Sequence, residues 1–365
     1  MVMGLKVYRV RLRFESPVAL PTRRARLGYL GVPRYVPAST LRGAIVSSLY
    51  REGHIDEDRL KREALYPEIV ASPAYPVVEG LESKPAHPFM FACKRCEAEG
   101  KKETLTFEAD AVKIVKSGDV RIPEPKCGHR ALKQLHPSPV VWKNGRPVEA
   151  GLAGLRYVSL NMSRRRASGI KGALYSYEAL ADSLEFWATV SSRDELRLKG
   201  MLLLIGRGIS RGFGRVRVTE ATEVNIAKEA EELKERSKGS AVFLSFSPLL
   251  GFGQAGSEWS TYPRVLDLSE LAREAGSQAS GTITVKRAYG RTFTFDSGWD
   301  MAKGRLRPRF EAKNPGTVVY ASIDNASGDI GSALVSLRYV GTKVLYGEST
   351  WITGVNMMEP MEARE

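Results

Sequence analysis

Two sets of residues have the types and spacing that chemistry needs. The first is Gly206-Arg207-Gly208-Ile209-Ser210-Arg211-Gly212-Phe213-Gly214-Arg215, running on into Val216-Arg217-Val218. It holds four glycines and four arginines in thirteen residues. Glycine lets backbone approach a ligand closely and adopt φ > 0. Successive backbone N–H groups in such a turn form a concave nest for anions, and arginine supplies a permanently charged planar fork. The combination suits a phosphate chain. The second set is Cys93-Lys94-Arg95-Cys96 with Cys127-Gly128-His129. Thiolate and imidazole pairs at these spacings form the two halves of a tetrahedral zinc site, with His87 or His136 as alternatives to His129. Four protein ligands leave no open position, so the zinc would be structural. It would staple a small loop-rich insertion at about 85–138, which has too few apolar residues for a core of its own.

More basic residues surround the first set. The stretch from Arg156 to Tyr175 carries Arg164, Arg165, Arg166 and Lys171, with Tyr157, Tyr175 and Tyr177 close by. Charges with interleaved rings suit a single strand, whose phosphates meet the charges and whose bases stack on the rings. The 16–36 connection, punctuated by Pro and Gly, carries Arg23, Arg24, Arg26 and Arg34. Ser39 or Thr40 can cap a helix with Leu41, Ile45 and Leu49 on its inner face, and Arg42 lies in its first turns. A helix N-terminus beside basic side chains is an anion site. Residues 141–218 hold 14 Lys and Arg against 6 Asp and Glu, more than half of the net charge of +14 on 365 residues. A chain this basic favours a polyanionic partner.

The elements that position these residues follow from periodicity. Tyr8, Val10, Leu12 and Phe14 alternate with Arg9, Arg11 and Arg13, which predicts a half-buried strand over 5–14. On charge alone the arginine face reads equally well as a solvated surface. Leu184, Phe186, Ala188 and Val190 predict another strand. Ser192-Arg193-Asp194-Glu195 has the form of a capping box and predicts a helix through Leu196, Leu203 and Leu204, ending at Gly206. Strand, helix, strand, then strand, helix, glycine loop, strand is the ferredoxin-like, or RRM-like, order. Residues 226–240 read as a Lys/Glu-rich linker. Beyond it come a strand at 242–246, a helix at 269–275, and a pairing of Ile283 and Val285 with Phe293 and Phe295 around Ala288-Tyr289-Gly290. A strand at 317–323, a helix at 329–338, the turn Gly341–Gly347 and a strand at 350–355 close the chain. The expected class is α+β, with two ferredoxin-like domains in tandem at 1–225 and 241–365 and the zinc-ribbon-like insertion in the first. No apolar run is long enough for a transmembrane helix. The arginine-interrupted N-terminus is unlike a signal peptide. A soluble cytoplasmic protein is the expectation.

The combination resembles the CRISPR-associated RAMP superfamily. The matching pieces are Pro37-Ala38-Ser39-Thr40-Leu41-Arg42-Gly43, the Arg164-to-Tyr175 segment and the Gly206-to-Val218 loop. Gly298-Trp299-Asp300-Met301, Leu306-Arg307-Pro308-Arg309 and Pro315-Gly316-Thr317-Val318 look like the second half of the type III-D subunit of the Cas-five-type group. The departure is Gly341–Gly347, a poor copy of the family's second glycine loop.

The resemblance implies a non-catalytic guide-RNA (crRNA) binding subunit of a type III effector complex in antiviral defence. It would hold the 5′ repeat-derived handle and bridge the large polymerase/nuclease subunit to the backbone RAMP subunits, with target RNA a further contact. The residues placed on RNA are Arg207, Gly208, Ser210, Arg211, Gly212, Phe213, Gly214, Arg215, Arg164, Arg165, Arg166, Lys171, Ser39, Thr40, Arg42, Arg23, Arg24 and Arg26. The alternatives are a metal-independent guide-processing endoribonuclease of the same superfamily and a stand-alone zinc-containing RNA-binding protein. An endoribonuclease needs a general acid/base, most often His. None of the four histidines falls in the glycine loop, and residues 16–36 contain no Asp.

Overall fold

In the computed structural model, the described residues are 4–20, 23–25, 28–30, 33–99, 106–120, 122, 127–129, 131–163, 168–237, 239–252, 259–300, 304–346 and 350–362. The chain is α+β, and two antiparallel sheets organise it. Strand Lys6–Phe14 lies inside the first. It pairs antiparallel with Glu185–Ser192 on one side and Arg215–Glu223 on the other. Tyr75–Val78 adds outside the former and Leu202–Leu204 outside the latter. Tyr8, Val10, Leu12 and Phe14 are buried, as their alternation predicts, against Leu41, Ile45 and Leu49 of helix Ala38–Arg51. The opposite face is not a plain solvent face. Val7 enters the core of the second sheet. Arg9 and Arg11 both pair with Glu82, and Arg9 lies over the Trp187 ring at 5.3 Å.

The second sheet centres on Ser240–Ser245, between Val318–Gly328 and Met358–Pro360. Ala279–Tyr289 and then Val265–Asp267 extend it beyond Val318–Gly328. Helices Leu268–Glu274 and Ile330–Tyr339 cover one face, with Leu268, Leu271, Ala333, Leu334 and Leu337 buried. The Lys/Glu-rich linker stretch folds as helix Ile226–Glu235. Its cap is Asn225, whose side chain accepts the Lys228 N–H, and its Leu233 joins the same core.

The other face of this sheet is covered by the segment around 85–138. Phe89, Val112, Ile114 and Val115 pack on Val242, Leu244 and Val318. Helix Ala111–Ser117 supplies most of this cover, and Arg287 donates to its Val115 carbonyl at 3.3 Å. The segment therefore shares a core with the sheet, and beside it has a small cluster of its own, in which Ala86, Met90, Ala92 and Leu135 pack with Val140, so the expectation that it lacks apolar residues for any core is corrected.

Three expected elements differ. The helix expected after Ser192 is absent. The Ser192 Oγ accepts from the Asp194 N–H at 3.1 Å, and the Tyr8 hydroxyl accepts from the Leu196 N–H at 3.2 Å. Met201, Leu203 and Ile205 are buried alternately, so the leucine run is read with period 2 and forms strand Leu202–Leu204. Ile283 and Val285 pair with Ile323 and Ala321, while Phe293 and Phe295 pair with Ala312 and Phe310. The two segments therefore do not form a hairpin around Gly290, whose backbone passes so close to Thr317 that a Cβ would strike its side chain. The Gly341–Gly347 turn belongs to a hairpin of Thr342–Tyr346 with Thr350–Val355; Gly347 lies outside the described residues.

Candidate nucleic-acid interface and metal centre

The glycine loop is built by left-handed backbone. Gly206, Gly208, Gly212 and Gly214 have φ of +88°, +80°, +88° and +79°. At Gly206 a Cβ would strike the Ala19 carbonyl, and at Gly214 the Ile205 carbonyl, so these two fix the loop to the sheet. Gly212 faces open space. Most loop amides turn inward. Arg207 N–H donates to Ala19 O at 2.9 Å, Gly214 N–H to Pro17 O at 2.9 Å, and Arg215 N–H to Ser16 Oγ at 2.9 Å. Arg211 N–H and Gly212 N–H close the short 3-10 turn Ile209–Arg211. The amides of Gly208, Ile209 and Ser210 are not among these bonds. Gly208 is left-handed and the next residue opens the right-handed 3-10 turn, the alternation that converges successive N–H groups on an anion. These inward bonds remove the amides of Arg207, Arg211, Gly212, Gly214 and Arg215 from the expected outward row.

The loop's side chains are anchored on a second surface. Phe213 meets Tyr157 edge-on, with centroids 4.9 Å apart, and Tyr177 at 6.0 Å. Arg211 lies over the Tyr177 ring at 5.5 Å and donates to its hydroxyl. Tyr157 and Tyr177 are a cross-strand pair of the hairpin Gly154–Ser163 with Ser168–Leu180. That hairpin pairs through Tyr177 and Tyr29 with Gly28–Leu30, which pairs in turn with Arg23–Ala25. One four-stranded sheet therefore joins the glycine loop, the basic hairpin and the backbone of Arg23 and Arg24. Lys171 lies on the Ser168–Leu180 strand. Arg164, Arg165 and Arg166 connect the paired ends Ser163 and Ser168 and, with Arg26, lie outside the described residues. Arg207, Ser210, Arg211 and Arg215 are exposed. Glu15, which no sequence signal singled out, ion-pairs with Arg217 and lies 3.8 Å from Arg215. The Arg217 hydrogen bond holds the Glu15 carboxyl below its ordinary range.

The helix Ala38–Arg51 places its three candidates differently. Pro37 is the N-cap, without a side-chain cap bond, so Ser39 and Thr40 are half-buried first-turn residues rather than caps. Arg42 is turned inward. Its Nε donates to Ile69 O at 2.6 Å, and Nη2 donates to Glu63 O at 2.8 Å and Glu63 Oε2 at 2.7 Å. The buried Glu63 carboxylate and two backbone carbonyls claim the fork, so the half-buried Arg42 is committed within the fold rather than turned out like the loop arginines. Glu63, 2% exposed, also pairs with Arg59 and accepts the Ile69 amide.

Cys93, Cys96, Cys127 and His129 present ligand atoms within 4.8 Å of one another. Cys93 ends strand Met90–Cys93 and caps the helix Lys94–Ala98, accepting the Cys96 N–H at 3.5 Å. His129 Nδ1 lies 3.6 Å from both Cys93 Sγ and Cys96 Sγ. A tetrahedral zinc with ordinary Zn–S and Zn–N bonds has S···N edges of about 3.6 Å, so the donor set could hold zinc. The Cys96 amide holds the Cys93 thiol down, to about 6, as a ligand-forming thiolate requires, whereas burial pushes the Cys96 thiol up to about 11. The alternative histidines are engaged elsewhere. His87 Nε2 lies 2.7 Å from Glu108 Oε1. His136 bonds Ala86 O through Nδ1 at 2.8 Å, and burial pushes it down to about 4. His54 lies past the 38–51 helix, 3.7 Å from Glu52.

Among the described residues, no helix is long and apolar enough to cross a membrane. No family model and no curated protein matches the sequence. Among solved structures, the chain is similar to one from a type III-B Cmr-beta bound to cognate target RNA and AMPPnP, at 12% identity and a TM-score of 0.45, covering 86% of each chain. A chain of the apo Cmr-beta aligns over 61% of this chain and 98% of its own, at 13% identity and a TM-score of 0.30. Oligomeric Cmr4 from Pyrococcus furiosus aligns over 60% of this chain and 99% of its own, at 14% identity and a TM-score of 0.27. The proteins it is similar to are therefore type III-B Cmr-beta and Cmr4 chains.

Proposed function

We propose that the chain is a non-catalytic guide-RNA-binding subunit of a type III CRISPR effector complex, holding the 5′ repeat-derived handle. The observation that carries this reading is the seating of the glycine loop on the Tyr157–Tyr177 pair of the basic hairpin. It gives one surface amides and arginines for phosphates and rings for bases, the division of labour that single-stranded RNA requires. In this reading two ferredoxin-like units, at 1–225 and 241–365, flank the 226–240 linker with its helix Ile226–Glu235, and the 85–138 insertion carries a structural zinc. The large subunit and the backbone RAMP subunits are its partners in a cytoplasmic assembly. The reading assigns no catalytic role to the four histidines: His87 and His136 are buried, His129 faces thiols, and for His54, beside Glu52, unchanged behaviour of His54→Ala on repeat RNA is the check.

The test is to identify the RNA that co-purifies with the native protein and to map its protected end. Protection of a 5′ repeat-derived segment is expected. Cleavage of repeat RNA by the purified chain would overturn the non-catalytic reading. Metal analysis should find about one zinc per chain, lost in Cys93→Ser.

A further inference from the structure

Between the 85–138 segment and the end of strand Ala279–Tyr289 lies a cleft of about 310 Å³. Phe89, Phe91 and Tyr289 give it flat apolar walls, and Val120 and Ile122 stand at its lip, 51% and 43% exposed. Its polar end is almost fully committed. His136 Nε2 accepts the Arg291 N–H at 3.2 Å. Gln134 donates to Pro88 O at 2.7 Å, and its Oε1 accepts Nε and Nη2 of Arg291 at 3.2 and 2.9 Å. This grip fixes the exposed guanidinium and leaves Nη1 outside these bonds.

The occupant such a cleft selects has a flat face, needs little from its edges and carries an anion near Arg291. We propose that the cleft takes one nucleotide of a single-stranded nucleic acid. The base packs against the aromatic walls and the Val120–Ile122 lip, and the phosphate meets Arg291. Stacking is sequence-tolerant because every base has a π face. With Gln134 and His136 already bonded, the base edges go unread, so the site takes all four bases alike. The net charge of +14 favours this occupant over an apolar segment of a protein partner. The source of the nucleotide rests on the RNA-binding reading above, whereas the cleft itself can be tested without it.

The probe is 2-aminopurine riboside 5′-monophosphate, followed by fluorescence on the full chain. Saturable quenching is expected, with AMP, CMP, GMP and UMP competing within about threefold of one another. Arg291→Ala should weaken the nucleotide about tenfold, one charge-assisted hydrogen bond, and leave the unphosphorylated nucleoside unchanged. Val120→Asp, at an exposed position that leaves the core intact, should weaken both. Because the glycine loop can also take the probe, the two cleft substitutions are repeated with Arg207, Arg211 and Arg215 all changed to Ala; a saturable quench that still weakens on Arg291→Ala and Val120→Asp is expected, and its disappearance would place the quench on the loop and overturn the proposal. Absence of saturable quenching, indifference to both cleft substitutions, strong preference for one base, or equal competition by ribose 5-phosphate would overturn the proposal.

Discussion

The two sheets differ most at one connection. In the second, strand Val318–Gly328 leads through Asp329, whose carboxylate accepts the Ser332 amide, into helix Ile330–Tyr339. That helix buries Ala333, Leu334, Val335 and Leu337. In the first, strand Glu185–Ser192 leads into irregular chain, the short strand Leu202–Leu204 and the glycine loop. One connection serves burial. The other serves exposure of backbone and arginine. The first sheet builds its cover from the 38–51 helix and from helix Glu57–Leu65, locked to it by the Glu63 network with Arg42 and Arg59. On the proposed reading, ligand chemistry sits where local structure departs from the better-packed arrangement.

Glu63→Ala is the most severe way to test that contrast. It leaves Arg42 buried without its carboxylate and should cost about 3–5 kcal/mol, read as a fall in urea midpoint. An unchanged midpoint would mean that the first sheet does not depend on the network. Next comes the second sheet's added cover. His136 is held neutral down to about 4 in the fold, against an ordinary value of about 6.5. Stability from this group is complete above about pH 6.5 and is lost as pH falls toward 4, by up to about 3 kcal/mol. Urea melts at pH 7.5 and 4.5 check it; His136→Asn should show the weaker pH dependence.

Removing Arg207, Arg211 and Arg215 together should lower the salt slope of RNA binding by roughly one unit for each phosphate these side chains neutralise. A slope equal to wild type would take the loop off the RNA path and erase the functional half of the comparison. The smallest effects lie within the loop. Gly214→Ala, strained in φ and facing a carbonyl, should cost about 2 kcal/mol or more, and Gly212→Ala, with open space around it, about 1 kcal/mol. Equal costs would mean that the loop is not pinned at Gly214.

The sequence by itself determined the strand Lys6–Phe14, helix Ile330–Tyr339 and the candidacy of Cys93, Cys96 and Cys127 as ligands, because hydrophobic period and ligand spacing are local signals, while the choice of His129 over His87 and His136 fell to the fold. It also marked the glycine loop, since left-handed backbone favours glycine and four glycines fall within nine residues there. Tertiary structure decided what local pattern leaves open. The capping box at Ser192 lost to the Tyr8 hydroxyl and to a core that reads Met201, Leu203 and Ile205 with period 2. Arg42 looks like a ligand in sequence and is a buried partner of Glu63 in space, because only the fold brings residues 21 positions apart into contact. The seat of Phe213 between Tyr157 and Tyr177, and the packing of Val112 and Val115 on Val242 and Leu244, are likewise long-range burial. No window of sequence contains both sides of those contacts.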